Sequence, residues 1–80
     1  MMLELKIISP ERVEFDGEVE SVTVPGTAGE FEILVNHAPI ISSLECGTLT
    51  YAGPDGKKSL DIQGGFVSVQ KNAVNICVEV

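Results

Sequence analysis

The chain has 80 residues, with 12 acidic and five basic side chains and a formal net charge of −7. Phosphate-rich partners are bound by clusters of Lys and Arg, so this charge argues against nucleic acid and against electrostatic docking on anionic lipid. One domain is expected at this length, with a small core, because such a chain buries only roughly 60% of the surface that it exposes when unfolded.

The apolar runs are only a few residues long, so we expect no membrane-spanning segment and no secretory signal. Residues Met1 to Lys6 already alternate like a strand, and we therefore expect the mature chain to begin at Met1 and to remain in the cytoplasm. The spacing of Cys46 and Cys77 matches no common zinc motif. We expect two free thiols, no metal site and no cofactor.

The first part of the chain is typical of short strands separated by turns. Apolar alternation starts at Leu3 and stops at Ser9-Pro10. Asp16-Gly17 has the composition of a two-residue hairpin turn, so Gly17 is predicted to be a turn glycine. The next strand, residues 18–24, changes its apolar phase, which predicts a β-bulge near Glu20-Ser21.

The stretch from Val24 to Leu44 has two interruptions around one short apolar run. Pro25, Gly26 and Gly29 precede the run, and Asn36 to Pro39 follow it. Glycine adopts backbone angles that other residues resist, and proline fixes its own φ. We predict two shaped loops that lie near each other, and loops on a rigid β scaffold are frequent binding sites.

Turn residues divide the second half of the chain in the same way. Pro54-Asp55-Gly56 and Lys71-Asn72 are predicted hairpin turns, and Gly64 and Gly65 are predicted turn glycines at a third break. No window shows uninterrupted helical periodicity. About nine or ten short strands at this spacing indicate an all-β fold without substantial helix, either a β-sandwich or a barrel, and a sandwich core is thin enough for this chain to fill.

No catalytic motif is recognised. His37 is the one histidine, and no Ser or Cys stands beside it in a known nucleophile motif. Two interpretations of His37 stay open: its imidazole fixes the loop by bonding nearby backbone, or it lines a protein contact. Glu30 and Glu32 would need a cleft and a partner to act as an acid–base pair, and the glycines before them lack the Lys-Ser/Thr ending of a phosphate loop.

Lys57 and Lys58 leave a second class of function open. A lysine exposed in a hairpin of a small acidic β domain is similar to the modified lysine of biotinyl or lipoyl carrier domains, but the residues usual around that lysine are absent. An intact mass would reveal such an adduct. A third class, a free-standing ligand-binding sandwich, requires a concave pocket, for which the small core leaves little room.

Four motifs in order resemble the epsilon subunit family of F-type ATP synthases, a subunit called delta in mitochondria. The central one is residues 24–42, in which Glu32 and Val35 depart from the family's usual Gly and Pro. The other motifs match the family's opening hairpin, the strand after the central motif and the closing hairpin; they are residues 5–12 with 15–19, residues 44–49, and residues 63–69 with 72–76. Four ordered motifs are much more specific than any one.

The resemblance implies a flattened sandwich of ten strands in a central stalk, linking the gamma subunit to the c-ring. It implies a subunit that is not itself an enzyme, that needs no cofactor and that couples ion translocation to ATP synthesis. Its place would be peripheral, on the cytoplasmic face of the bacterial inner membrane, attached through the complex and not inserted. Many bacterial members continue into a helical hairpin that residues 1–80 do not contain, so ATP binding by that hairpin is not implied.

The resemblance also maps contact residues onto this sequence. The family's ring-facing loops correspond to Gly26, Thr27, Ala28, Gly29 and Glu30, and to His37, Ala38 and Pro39. Ring loops carry basic residues in many members, so Glu30 is the charge contact expected first. The gamma-facing surface is expected on one sheet face and on the last hairpin.

Overall fold

A computed structural model of the chain describes residues 2–80. These residues form nine β-strands: β1 (Leu3–Ile8), β2 (Val13–Val19), β3 (Ser21–Gly26), β4 (Gly29–Leu34), β5 (Ile40–Leu44), β6 (Gly47–Gly53), β7 (Gly56–Ile62), β8 (Gly64–Gln70) and β9 (Ala73–Glu79). The all-β prediction is confirmed, and the nine strands agree with the nine or ten that the turn spacing predicts. Between residues 2 and 80 there is no helix that could cross a membrane.

The strands form one sheet that folds over into two layers. The first layer has the order β2-β1-β9-β8-β5, and the second has the order β4-β3-β6-β7. Strand β3 joins them, because Gly26 pairs with Leu44 on β5 while Ser21–Thr23 pair with Thr50–Ala52 on β6. β5 therefore passes into β6 by a bend at residues 45–46, as strands do where they switch sheets in β-sandwiches.

The core lies between the layers and is built from alternate residues of each strand. On β1, Leu3, Leu5 and Ile7 are buried while Glu4 and Lys6 are exposed. The other buried apolar residues are Val19, Val22, Val24, Ile33, Leu44, Leu49, Ile62, Val67, Val69, Val74, Ile76 and Val78. Full burial of one such side chain contributes about 1.5–3 kcal/mol, so this apolar core is the main source of stability.

The predicted turn at Asp16-Gly17 is wrong. Strand β2 runs through it without a break, and Gly17 pairs with Leu5 on β1. A Cβ at Gly17 would lie 3.1 Å from the ring of Phe15, so this glycine makes room for the ring. The Phe15 ring in turn pairs with Tyr51 of β6, with centroids 4.5 Å apart, and burial raises the pKa of Tyr51.

The reversal between β1 and β2 lies instead at residues 9–12. There the Ser9 backbone N–H donates to the Arg12 carbonyl oxygen at 2.9 Å, and the Arg12 backbone N–H donates to the Ser9 Oγ at 3.3 Å. Ser9 is the one buried polar residue of the described chain. The reversal is therefore stabilised by the hydrogen bonds of Ser9 within residues 9–12, and not by an Asp-Gly turn as the sequence predicts.

Two further turn predictions need correction. Glu20 does not form a bulge but connects β2 to β3, so the change of apolar phase marks the passage from one layer to the other. Gly64 and Gly65 open strand β8, and the break lies at Gln63. Gly65 has a φ of 150°, and a Cβ there would overlap the Cys77 carbonyl oxygen, so this glycine is needed for close backbone approach rather than for a turn.

The connections between successive strands alternate between two ends of the sandwich. Those at one end are residues 9–12, 27–28, 45–46 and 63, and those at the other are residues 20, 35–39, 54–55 and 71–72. The predicted hairpin turns at Pro54-Asp55 and Lys71-Asn72 are confirmed. Met1, which belongs to the alternating stretch of residues 1–6, lies outside the described residues.

Candidate interaction surfaces

The first predicted contact segment is the hairpin turn between β3 and β4. Thr27 and Ala28 are its two turn residues, flanked by the pair Gly26 and Gly29. Gly29 has a φ of 128°, a conformation that side-chain-bearing residues rarely adopt. Thr27 to Glu30 are exposed, whereas Gly26 is buried.

Gly26 supports this turn rather than presenting a contact. A Cβ at Gly26 would lie 2.7 Å from the Gly29 carbonyl oxygen and 2.9 Å from the ring of Phe31. Gly47 has a similar role beneath Pro25, because a Cβ there would lie 2.9 Å from the Pro25 Cβ. Bare glycine backbone therefore lets β3, β4 and β6 approach closely beneath the turn.

Two carboxylates flank Pro25 at the place where the sheet bends. Pro25 pairs with Glu30 on one side, and its carbonyl oxygen accepts the Glu45 backbone N–H at 2.9 Å on the other. Glu30, Glu45 and the neighbouring Cys46 are all exposed. We call residues 25, 27–30, 45 and 46 the acidic corner, since they include no Lys or Arg. Sequence reasoning missed Glu45, because nothing local indicates that β5 bends beside this turn.

The second predicted contact segment, residues 35–39, begins with a tight turn after β4. The His37 N–H donates to the Leu34 carbonyl oxygen at 3.1 Å, and Asn36 has a φ of 66°. The His37 Nδ1 lies 2.7 Å from the Ala38 carbonyl oxygen, a hydrogen bond that requires the hydrogen on Nδ1. This geometry supports the interpretation that the imidazole fixes the loop. Half-buried His37 stands beside exposed Ala38 and Pro39.

The two predicted contact segments do not meet. Strand β4 lies between them, and at about 3.3 Å per residue its ends, Gly29 and Leu34, are about 16 Å apart. The prediction that the two loops lie near each other is therefore wrong, because the strand between them is extended and paired with β3 along its whole length. A partner that touched both segments would have to span β4.

Asn72, on the last hairpin, holds the second segment. The Asn36 N–H donates to the Asn72 Oδ1 at 2.6 Å, and the Asn72 Nδ2 donates to the Asn36 Oδ1 at 3.3 Å. We call this pair the asparagine clasp. Lys71 and Asn72 both have positive φ, 50° and 64°, as a two-residue hairpin turn requires. The sequence indicates both turns but carries no local signal for a contact between positions 36 residues apart.

Exposed apolar side chains cross the outer face of the first layer. Ile8 pairs with Val13 on β2 and with Cys77 on β9, and Cys77 pairs with Phe66 on β8. We call these four residues the apolar row. Val13 and Phe66 are each 51% exposed, and Ile41 on the adjacent β5 is 80% exposed. Apolar surface that is exposed and contiguous often marks a protein contact.

Comparison with known sequences identifies relatives along nearly the whole chain. Residues 2–80 match the family described as ATP synthase, Delta/Epsilon chain, beta-sandwich domain. The ATP synthase epsilon chain of a Nitratiruptor species is 45% identical over 78 residues, which cover 96% of this chain and 60% of that one.

Two further relatives differ in how much of their length is matched. The ATP synthase epsilon chain of Leptospira borgpetersenii serovar Hardjo-bovis is 40% identical over 77 residues, covering 96% of this chain and 61% of the relative. That of Caulobacter vibrioides is 40% identical over 77 residues, covering 96% and 90%. The chain thus spans under two thirds of the Leptospira relative and most of the Caulobacter one.

Two solved structures share the fold. A chain of the Euglena gracilis mitochondrial ATP synthase (OSCP/F1/c-ring, rotational state 1) superposes with a TM-score of 0.90 at 24% identity, covering 96% of this chain and 50% of that one. A chain of the Tetrahymena thermophila mitochondrial ATP synthase, central stalk/c-ring, gives 0.81 at 19% identity, covering 100% and 65%. At these identities the likeness shows the fold alone.

Proposed function

Since this chain belongs to the family of ATP synthase delta/epsilon chain beta-sandwich domains, we propose that it is a non-catalytic rotor subunit of an F-type ATP synthase. In this proposal it links the gamma subunit to the c-ring and couples ion translocation to ATP synthesis. The observation that carries the proposal is the family match along residues 2–80. The complex would hold the chain at the cytoplasmic face of a bacterial inner membrane without inserting it.

The proposed role makes a mechanical demand rather than a chemical one. A subunit that transmits torque must be stiff, and close-packed protein interiors have low compressibility. Two layers with an interdigitated apolar core between them meet this demand. The proposed partners must then grip separate surfaces of the stiff body.

The acidic corner is the surface that we propose for the c-ring. It contains four of the residues mapped from the family's ring-facing loops, Thr27 to Glu30, while Gly26 supports them from beneath. Its carboxylates, Glu30 and Glu45, would face basic side chains on the ring loops. Each exposed charge pair is worth only about 0–1 kcal/mol, so the charges would set register and association rate more than affinity.

The apolar row and the neighbouring segment 37–39 are the surface that we propose for gamma. The family mapping assigned His37, Ala38 and Pro39 to the ring, but β4 separates them from the acidic corner. Pro39 and Ile41 instead lie beside Ser68 and Gln70 of β8, on the margin of the first layer. This continuity favours gamma as their partner.

Two native thiols test this assignment. Cys46 is exposed in the acidic corner, and Cys77 is half-buried in the apolar row. We expect assembly with gamma alone to slow alkylation of Cys77, and addition of the c-ring to slow alkylation of Cys46. The variants Cys46→Ala and Cys77→Ala separate the two signals. Failure to co-purify with gamma, with no protection of either thiol, would contradict the function; protection of Cys46 by gamma alone would reverse the surfaces.

The carrier-domain alternative is not favoured, because the family match covers the same residues and names another function. Lys57 and Lys58 are exposed on β7, just after the turn at Pro54-Asp55. The charge of exposed edge lysines discourages edge-to-edge association of sheets, which accounts for them without a modification. An intact mass of protein from its native source, with no adduct, is the expected result.

A further inference from the structure

We propose that Asn72 is a positioning residue for the contact segment His37–Pro39, acting through the asparagine clasp. The inference rests on the proposed function, because it concerns how that segment is presented to gamma. Asn72 itself need not touch the partner. Its effect passes through Asn36, the residue immediately before the segment.

Few other bonds hold the segment. One backbone hydrogen bond, from His37 to Leu34, closes its turn, and the bond from His37 Nδ1 to Ala38 stays within the segment. Half-buried Val35 packs against the core and anchors the start of the loop. Among the hydrogen bonds of residues 2–80, the two between Asn36 and Asn72 are those that connect residues 35–39 to another hairpin.

The other side of the clasp is firmly held. The Asn72 carbonyl oxygen accepts the Glu4 backbone N–H at 2.8 Å, which ties the turn of the last hairpin to the start of β1. The pairs Gln70–Ala73 and Glu4–Ala73 close the ladders on both sides of this turn. A loop that is hydrogen-bonded to Asn72 is therefore held at a fixed position relative to the first layer. The apolar row lies on the same layer.

The backbone of both asparagines agrees with this role. Asn36 and Asn72 have φ values of 66° and 64°, in the left-handed region that asparagine tolerates better than most residues. With both turns in this conformation, the Asn72 side-chain amide reaches both the backbone N–H and the side-chain oxygen of Asn36. The clasp consequently fixes the distance between the segment 37–39 and the outer face of the first layer.

Amide hydrogen exchange on the chain alone tests the clasp. Asn72→Gly keeps the positive φ but removes the amide, and we expect the Asn36 N–H to exchange at least about tenfold faster because its acceptor is gone. Asn72→Asp keeps an oxygen for that N–H and should restore slow exchange. The matched control is Asn75→Ala, an exposed asparagine of β9 that makes no side-chain hydrogen bond in the described residues.

Affinity for gamma tests the positioning role separately. If the segment leaves its competent position for part of the time, the apparent affinity falls in proportion, and we expect a roughly three- to tenfold loss in Asn72→Gly. Asn72→Asp should restore it. Ser59→Ala, an exposed change on β7 of the second layer, should bind like the unaltered chain.

The outcomes separate the inference from the function. Unchanged exchange of the Asn36 N–H in Asn72→Gly, or an Asp variant no better than the Gly variant, would overturn the clasp. Fast exchange with unchanged affinity would overturn the positioning role while the proposed function stands. An unaltered chain that does not bind gamma would instead remove the function, and the positioning role with it.

Discussion

The acidic corner and the asparagine clasp lie at opposite ends of β4 and hold their turns by different means. At the corner, glycine leaves space that a side chain would occupy: Gly26 makes room for Phe31, and Gly47 makes room for Pro25. At the clasp, the Asn72 side chain hydrogen-bonds both the backbone N–H and the side-chain oxygen of Asn36. A packed turn can be disturbed only together with the sheet around it, whereas a bonded loop can loosen while the core stays intact. We therefore expect substitutions of the closely packed glycines near the corner to change stability, and substitutions at the clasp to change presentation of the segment 37–39.

The largest effect is expected for Gly65→Ala, one strand from the corner. The new Cβ would overlap the Cys77 carbonyl oxygen, so a β8–β9 ladder must move, and we expect a loss of about 3 kcal/mol in the free energy of unfolding. Gly56, on the hairpin at the other end, shares a positive φ of 108° but has open space around it. Gly56→Ala should cost only about 1 kcal/mol, from backbone strain.

Urea unfolding of both variants checks this contrast. Equal losses would mean that backbone conformation alone, rather than close approach, governs both glycines. The contrast between the two ends would then be wrong.

A smaller and pH-dependent effect is expected at Glu14, beside the reversal near the corner. Arg12 first and Ser9 second, both by hydrogen bonds, hold the pKa of Glu14 below its ordinary value of 4.5. The folded chain thus binds this proton less readily than the unfolded chain. Its contribution is complete above pH 4.5 and is lost as the pH falls through the lowered pKa of the folded state.

Thermal unfolding of Glu14→Gln against the unaltered chain measures this contribution. The difference in melting temperature should be largest near neutral pH and should shrink as the solution is acidified. Glu32→Gln is the matched control, since Glu32 is exposed on β4 and makes no side-chain hydrogen bond in the described residues. A difference that stays constant with pH would exclude the ionised carboxylate as its source.

The smallest effect is expected for Glu30→Lys in the acidic corner. The fold should be unchanged, while binding to the c-ring weakens by less than about tenfold, because an exposed pair is worth about 0–1 kcal/mol. The loss should shrink at high salt, and coupling of ion flow to ATP synthesis in membranes should weaken in parallel. Glu4→Lys, an equal change of charge on β1 far from the corner, is the control. Equal weakening by both variants would point to net charge and remove Glu30 as a contact.

Local pattern was sufficient for parts of this fold. The alternation of Leu3, Leu5 and Ile7 predicts β1, and the turn residues at 54–55 and 71–72 predict two hairpins, all of which the structure contains. These features depend on neighbours within a few residues. The resemblance to the epsilon family came from motifs of the same local kind, and it is confirmed along residues 2–80.

The wrong predictions concern positions whose conformation depends on contacts with residues distant in the sequence. Asp16-Gly17 has the composition of a turn, but pairing with β1 and the ring of Phe15 keep Gly17 in a strand. The apolar pattern predicts a bulge near Glu20-Ser21, because sequence alone does not show a change of layer. The clasp and the position of Glu45 beside Pro25 likewise depend on registers that no short window contains.

The side-by-side arrangement of β1 and β9 has a consequence for biosynthesis. β9 lies between β1 and β8, so the hairpin of β1 and β2 joins the first layer only through the last strand. A ribosome delivers β1 first and β9 last. Until β9 emerges, Leu5 and Ile7 lack their pairing partners on β9. The nascent hairpin of β1 and β2 stays exposed to water or bound to a chaperone during that time. Such dependence on contacts between distant parts of the sequence slows folding, so the newborn chain is exposed to aggregation for longer than a helical protein of its size.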